Sequence, residues 1–196
     1  ANDTQFEGMV QTQDSPPQNV DFYQTVTTGY LETMGIEVVA GRGFQASDDE
    51  NGLPVAIVNE SLVRRFYPAE NPIGRRLAPG GAPDGLMLEI VGVVADVKQA
   101  GLDEPAGTEL YFHYPQAATL GGAPSTMNFV VASEGDATGV TAAVRRHVWD
   151  LDPTLPVSGL QSMTDVLGDA LSRARLWVHF GARRNAVSFP LARENQ

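Results

Sequence analysis

The sequence predicts an α+β fold in which β-α-β units, split between the two ends of the chain, flank an inserted mixed α/β segment. Three observations predict it. Hydrophobic residues make up 42% and charged residues 19% of 196 positions, which is enough apolar material for a packed core at this length. Short β-branched runs alternate with stretches that carry helix caps and helical spacing. Two breaks in composition, the acidic Asp48-Asp49-Glu50-Asn51-Gly52 and the Gly-rich stretch from Pro115 to Pro124, divide the chain into segments 1–50, 51–120 and 121 onward.

Residues 1–20 are polar, broken by Ser15-Pro16-Pro17, and read as a lead-in loop or an edge strand. Val20 to Val26 has strand composition. Thr28 can cap a short helix with Leu31 and Met34 on one face and Gly35 as its stop. Ile36 to Val39 reads as a strand, closed by Gly41-Arg42-Gly43, so the first segment is a β-α-β unit.

In the insert, Pro54 to Val58 is a strand. Asn59 caps a helix that turns Leu62, Val63 and Phe66 inward and ends at Pro68. Ile73 to Leu77 is a short strand, Gly80 to Gly85 a hairpin loop, and Leu86 to Val97 the strongest strand in the chain. Thr108 to Tyr114 is another strand, rich in aromatics, before the linker Pro115–Pro124.

The third segment repeats the first pattern. Thr126 to Ala132 is a strand. The helix from about Ala137 to Leu151 carries Val140, Val144, Val148 and Leu151 along one stripe, with His147 on its inward edge, and Asp152-Pro153 stops it. Leu155 to Leu160 is a strand that Pro156 confines to an edge. Ser162-Met163-Thr164-Asp165 resembles a capping box and opens a helix through about Trp177.

Composition narrows the function. A formal charge of −11 disfavours nucleic acid, which needs clustered Lys and Arg, and also disfavours anionic lipid surfaces. The chain has no cysteine, so disulfides, zinc–thiolate sites and thiol nucleophiles are excluded. Lys98 is its single lysine, poor material for Schiff-base or P-loop chemistry. No stretch reaches the roughly 18 apolar residues that span a bilayer, and Ala1-Asn2-Asp3-Thr4 lacks the marks of a signal peptide. The expected object is a mature soluble piece or an excised segment, non-catalytic, with no cofactor and no metal; the lack of cysteine fits an oxidising compartment without establishing one.

The chemical candidates each have a plain structural alternative. Gly41-Arg42-Gly43-Phe44-Gln45-Ala46 matches G-x-G-x-x-A, but acidic residues follow where a dinucleotide site needs a helix N-terminus, so a turn leaving a strand is preferred. The Asp48–Gly52 run offers oxygen ligands without the spacing of a calcium loop and reads as a solvated turn. His113, His147 and His179 form no metal-ligand pair. Asp96 and Glu109 lie at strand ends and are a candidate carboxylate pair, and no G-x-S-x-G elbow occurs. Arg64-Arg65 and Arg75-Arg76 are the densest basic spots, either local ion-pair partners or a docking patch.

The order of motifs resembles the MacB-type periplasmic core domain of ABC transporter permeases, within the FtsX-like permease family. The resemblance rests on Val26-Thr27-Thr28-Gly29-Tyr30-Leu31-Glu32-Thr33-Met34-Gly35-Ile36 with Ala40-Gly41-Arg42-Gly43-Phe44. It continues through Val55-Ala56-Ile57-Val58-Asn59-Glu60-Ser61-Leu62, Arg65-Phe66-Tyr67-Pro68 and Asn71-Pro72-Ile73-Gly74-Arg75-Arg76. The later blocks are Glu89-Ile90-Val91-Gly92-Val93-Val94-Ala95-Asp96-Val97, Glu109-Leu110-Tyr111, and Val144-Arg145 through Leu151-Asp152-Pro153-Thr154-Leu155-Pro156-Val157.

That resemblance implies a porter-like part, split between 1–50 and 121–178, with a sabre-like insert at 51–120. It implies a parent membrane protein, with this domain on the periplasmic face of the bacterial inner membrane. There it would relay the motion of a cytoplasmic ATPase subunit or domain through membrane helices, in a dimeric transporter, with a periplasmic adaptor or substrate as further partner. Arg75 and Arg76 are the candidate docking residues. The family usually has another strand and helix upstream, so the resemblance implies a porter part incomplete here or completed by a neighbouring chain. It also has a membrane helix after the equivalent of Ala174-Arg175, where this chain has the polar His179-Phe180-Gly181-Ala182-Arg183-Arg184-Asn185, so 179–196 is expected to be a truncated or non-native tail. The alternative function is a free-standing ligand-binding module for a peptide, lipid or drug.

Overall fold

The computed structural model describes residues 2–9, 18–101, 104–120, 127–133, 137–157, 159 and 161–168. Two compact units divide the chain: residues 1–100 with 104–134, and residues 101–103 with 135–196.

The first unit is built on a mixed sheet. Its strands are β1 (Asn2–Phe6), β2 (Asn19–Val20), β3 (Phe22–Val26), β4 (Val38–Gly41), β5 (Val55–Asn59), β6 (Arg76–Pro79), β7 (Leu88–Val94) and β8 (Glu109–His113). The order is β2-β1-β6-β7-β5-β8-β3, and β4 also pairs with β7. The sheet takes strands from both sides of the 50/51 position. β5–β7 and β3–β8 are parallel, and the other ladders are antiparallel. One edge of β7 is shared: β6 meets its first residues and β4 its last.

Position in the sheet explains composition. All residues of β5 and β8, and six of seven in β7, are buried, as expected for strands covered on both faces. On one face Ala56, Val58, Leu77, Leu88, Ile90, Val93, Leu110 and Phe112 pack with Leu62 of α2 (Glu60–Phe66). On the other, Val55, Ile57, Val91, Val94 and Tyr111 pack with Leu31 of α1 (Tyr30–Met34) and with Phe44. Ile57, Leu62 and Ile90 are wholly buried, each worth roughly 1.5–3 kcal/mol. Phe6 adds a stacked contact with Phe66 at 4.3 Å between ring centres and an edge contact with Tyr67 at 5.8 Å.

β7 reverses its facing midway. Leu88 and Ile90 belong to the first core, Val91 to the second, and Val93 and Val94 to the first and second again. A register shift between Ala56 and Ile57, which pair with Ile90 and Gly92, leaves Val91 as the extra residue. This bulge keeps both ends of the strand apolar on both faces.

Several local expectations hold. Gly35 takes the left-handed conformation (φ 67°) and closes α1, with its N–H on Glu32 O and the Ile36 N–H on Leu31 O. The Asn59 side chain accepts from Leu62 N at the start of α2. Ser162 and Asp165 bond reciprocally at the head of a helical turn over 163–168.

Other local expectations are corrected. β3 and β4 flank α1 but do not neighbour each other, since β3 pairs with β8 and β4 with β7. Gly29, not Thr28, caps α1, because the Thr28 hydroxyl is engaged with His113. The strand expected from Ile73 begins at Arg76, because Pro72–Arg75 forms a turn with Gly74 at φ 82°. Tyr114–Leu120 is a 3-10 helix rather than linker. It is anchored by buried Gln116, whose amide accepts from Val55 N and donates to Asp49 O and Leu53 O. Residues 127–133 join no ladder, and Phe129 and Val131 are exposed.

In the second unit, α3 (Ala137–Leu151) is the main element. Its half-buried stripe is Val140, Val144 and Val148. His147 is exposed, not packed inward, because a residue one position from Val148 is turned by about 100° around the helix. Leu151, expected to extend the stripe, is exposed too. The Trp149 indole N–H donates to Leu155 O at 3.2 Å, and residues 155–157 and 159 are not in a strand. His179, the expected helix beyond 168 and the tail lie outside the described residues.

Candidate functional site

Arg75 and Arg76 occupy the tight turn leading into β6. The turn is fixed by Arg75 N on Pro72 O and by the pair Gly74 N on Ile90 O and Ile90 N on Arg75 O. Both side chains are about half exposed. Each meets a carboxylate of this unit: Arg75 donates to Glu70 at 2.7 Å, and Arg76 pairs with Glu7. The Arg76 contact holds the Glu7 carboxyl below its ordinary range. Close to these charges lies the buried phenol of Tyr67, whose hydroxyl has no hydrogen-bond partner among the described residues. Burial pushes it up to about 12, with the Glu7 and Glu70 charges adding to that and Arg75 opposing it.

Arg64 and Arg65 separate by role. Arg64, with the Ser61 amide and hydroxyl, binds the Asp96 carboxylate. Arg65 lies over the Phe66 ring at 5.1 Å. Burial works against ionisation of Asp96, but Arg64 and Ser61 together hold its carboxyl below the usual 3.8.

The acidic 48–52 run is a folded turn with one residue turned inward. Asp48 is 6% exposed. Its carboxylate takes a two-pronged ion pair from Arg42 at 2.7 and 2.8 Å and the Gln45 N–H at 2.8 Å, and its carbonyl accepts from Nδ1–H of buried His113 at 2.6 Å. On its other side Nε2 of His113 hydrogen-bonds with the Thr28 hydroxyl at 2.9 Å. Its ring stacks on Phe44 at 4.8 Å. Gly41–Ala46 is therefore a turn closed by Arg42 on Asp48, and no helix opens after it. Asp49 caps its own loop through Asn51 N and Gly52 N. It borders an open cleft of about 400 Å³ with Glu50, Asn51, Tyr114, Pro115 and Ala118.

Asp96 and Glu109 are brought together, near enough for the Asp96 charge to act on Glu109. Glu109 has no exposed surface, and Asp96 is engaged with Arg64 and Ser61, so neither presents a free carboxylate to a substrate. Glu109, Tyr111 and His113 form a polar stripe at alternate positions of β8. The period-two spacing of these residues in sequence was the signal that could have found it. Among the described residues no group of three or more His, Cys, Asp or Glu is placed to hold a metal ion, and no helix is long and apolar enough to cross a membrane.

Known proteins resemble this chain in sequence and in fold. Over 130 residues, 65% of this chain, the sequence is 23% identical to the pyoverdine export ATP-binding/permease protein PvdT of Pseudomonas aeruginosa, and the match spans 19% of that relative's length. The fold is similar to the crystal structure of the periplasmic region of MacB from Actinobacillus actinomycetemcomitans. That likeness has a TM-score of 0.53 at 17% identity and covers 76% of this chain and 64% of that one. The extracellular domain of the noncanonic ABC-type transporter YknZ, from Gram-positive bacteria, matches with a TM-score of 0.48 at 19% identity over 68% and 65% of the two chains. Residues 4–147 match the family described as MacB-like periplasmic core domain, and the chain belongs to that family.

Proposed function

We propose that this domain works on the extracytoplasmic face of an ABC transporter permease, relaying ATP-driven motion from the cytoplasm to partners or substrate outside. Family membership over residues 4–147 is the observation that carries the reading. Its physical support is the first unit, where three adjacent strands are buried on both faces. Such a body moves as a whole, because packed cores are not continuously deformable. The role is mechanical, and the residues that matter act through packing and interface shape. The parent would be a dimeric inner-membrane permease, coupled through its membrane helices to a cytoplasmic ATPase subunit or domain.

The test uses the full transporter. Since the chain has no cysteine, spin labels on introduced Cys residues report without background from this segment. One label goes on an exposed site of α3 and one at Thr25. The expected result is a distance distribution that changes between nucleotide-free and ATP-bound states. An unchanged distribution in a transporter that still exports would overturn mechanical relay.

We further propose the Arg75/Arg76 turn as a docking contact for an acidic periplasmic partner. Both guanidinium groups project from a rigid turn on an otherwise acidic chain, and exposed ion pairs to Glu70 and Glu7 are weak enough to exchange. Arg75→Glu with Arg76→Glu is expected to abolish partner capture while leaving the fold, read by circular dichroism, intact. Normal assembly and transport in the double variant would remove the proposal.

A further inference from the structure

Glu109 carries a carboxylate into the interior with little to support its charge. It is 0% exposed, and its position is set from behind, because its own N–H donates to Asn59 Oδ1 at 2.9 Å. Oε2 accepts from the Tyr111 hydroxyl at 2.8 Å. Among the described residues Oε1 has no hydrogen bond of ordinary geometry, although the Gln99 side chain lies near enough to favour ionisation.

The titratable and charged groups around it include one like charge, Asp96, and Lys98, which is exposed two positions after Asp96. Along β8 they are Tyr111 and His113, and His113 is already held by Asp48 and Thr28. Across the ladder to β3 the neighbour is Phe22. From α1 comes Tyr30, whose own ionisation is opposed first by burial and then by the Glu109 charge. Asp96 and Gln99 come from the segment 95–101, which has no helix or strand. Arg64 is bound to Asp96. A buried anion facing a like charge, with one good donor, is relieved either by taking up a proton or by moving away from that charge.

We propose that Glu109 is a proton-operated latch on segment 95–101: the neutral carboxyl lets the segment close over β8, and ionisation releases it and admits water. The proposal stands apart from the transport reading and survives if that reading fails. Burial, reinforced by Asp96, raises the Glu109 pKa above its ordinary 4.5. The closed state therefore binds the proton more tightly than the open one. Closure is strongest below about 4.5, weakens as pH rises towards the raised value, and is constant above it.

Hydrogen exchange of residues 95–101, corrected for intrinsic rate, tests this in the 196-residue chain. Between pH 4.5 and the raised value, the opening constant is expected to climb about tenfold per pH unit, the slope for release of one proton, and then to level. Glu109→Gln is expected to make the profile flat over the same range. A second measurement is independent of whether that variant folds: carboxyl ¹³C shifts of glutamate-labelled wild-type chain, with Glu109 assigned. Titration of Glu109 above the ordinary range, in step with segment exchange, supports the latch. Titration at the ordinary value, or an equal slope in Glu109→Gln, overturns it.

Discussion

Replacing Asn59 by Ala is expected to destabilise the first unit by about 3–5 kcal/mol. Asn59 is wholly buried, and its amide makes three bonds. Oδ1 accepts Leu62 N at 3.0 Å and Glu109 N at 2.9 Å, and Nδ2 donates to Gly107 O at 2.8 Å. The first is a helix cap, worth about 1 kcal/mol. The other two satisfy buried backbone groups of the approach to β8, and each orphaned group costs about 1–3 kcal/mol. All five tyrosines belong to this unit and neither tryptophan does, so tyrosine near-ultraviolet dichroism follows it selectively. Its midpoint should fall by roughly 10 °C. Asn59→Ser separates the contributions, since serine can cap α2 but is too short for Gly107. Recovery of most of the loss by serine would show that the bonds to β8 contribute little.

The same residue shows how much of the fold was legible in the sequence. Capping is local, so an Asn at the end of a strand and before an apolar helical stripe could be read directly. Its bonds to Gly107 and Glu109 reach across 48 and 50 positions, and nothing in the spacing announces them. The strands at the centre of the sheet were legible because burial on both faces makes them continuous apolar runs. Their neighbours were not: β3 reaches β8 across a separation of about 87 residues, where Asp21 accepts from the Thr108 N–H and hydroxyl. The third segment was legible as a helix, but its flanking runs 126–132 and 155–160 have strand composition without a ladder on their described residues.

Site residues divide along the same line. Arg75 and Arg76 stood out as paired charges, but their carboxylate partners come from five residues upstream (Glu70) and from β1's exit (Glu7, 69 residues away). Among the histidines, His147 looked buried from helical spacing and is exposed, while His113, at the end of an aromatic strand, is 1% exposed. Asp48 opened what reads as a solvated run, yet only its four followers are solvated in character. Its ion pair with Arg42 has a pH consequence. Burial opposes ionisation, but Arg42 and the Gln45 N–H outweigh it and hold Asp48 below 3.8. Its contribution is therefore present above about 3.8 and is lost as pH falls through the depressed value, opposite in sign to that of Glu109.

Gly92→Ala is expected to be among the most damaging single methyl additions in the described residues. β4 crosses β7 where Gly41 pairs with Gly92, and Arg42 N donates to Val91 O at 2.9 Å. A Cβ on Gly92 would sit 2.1 Å from Arg42 O and 3.3 Å from Ile57 Cγ1. The first contact is with backbone, so no side chain can swing away. β7 cannot retreat either, because β5 holds its other edge and β6 its start. Either β4 leaves the ladder or the bulge at Val91 collapses, and collapse would reverse the facing of Val93 and Val94. The expected loss is at least about 3 kcal/mol, read as a lowered tyrosine-dichroism midpoint. Gly139→Ala is the matched control: it lies in α3 with open space around the added methyl, so it should be neutral or stabilise by up to about 1 kcal/mol. A Gly92→Ala variant as stable as wild type would mean that β4 does not lie against β7, and with it the second core, which needs Phe44 held after that crossing, would have to be redrawn.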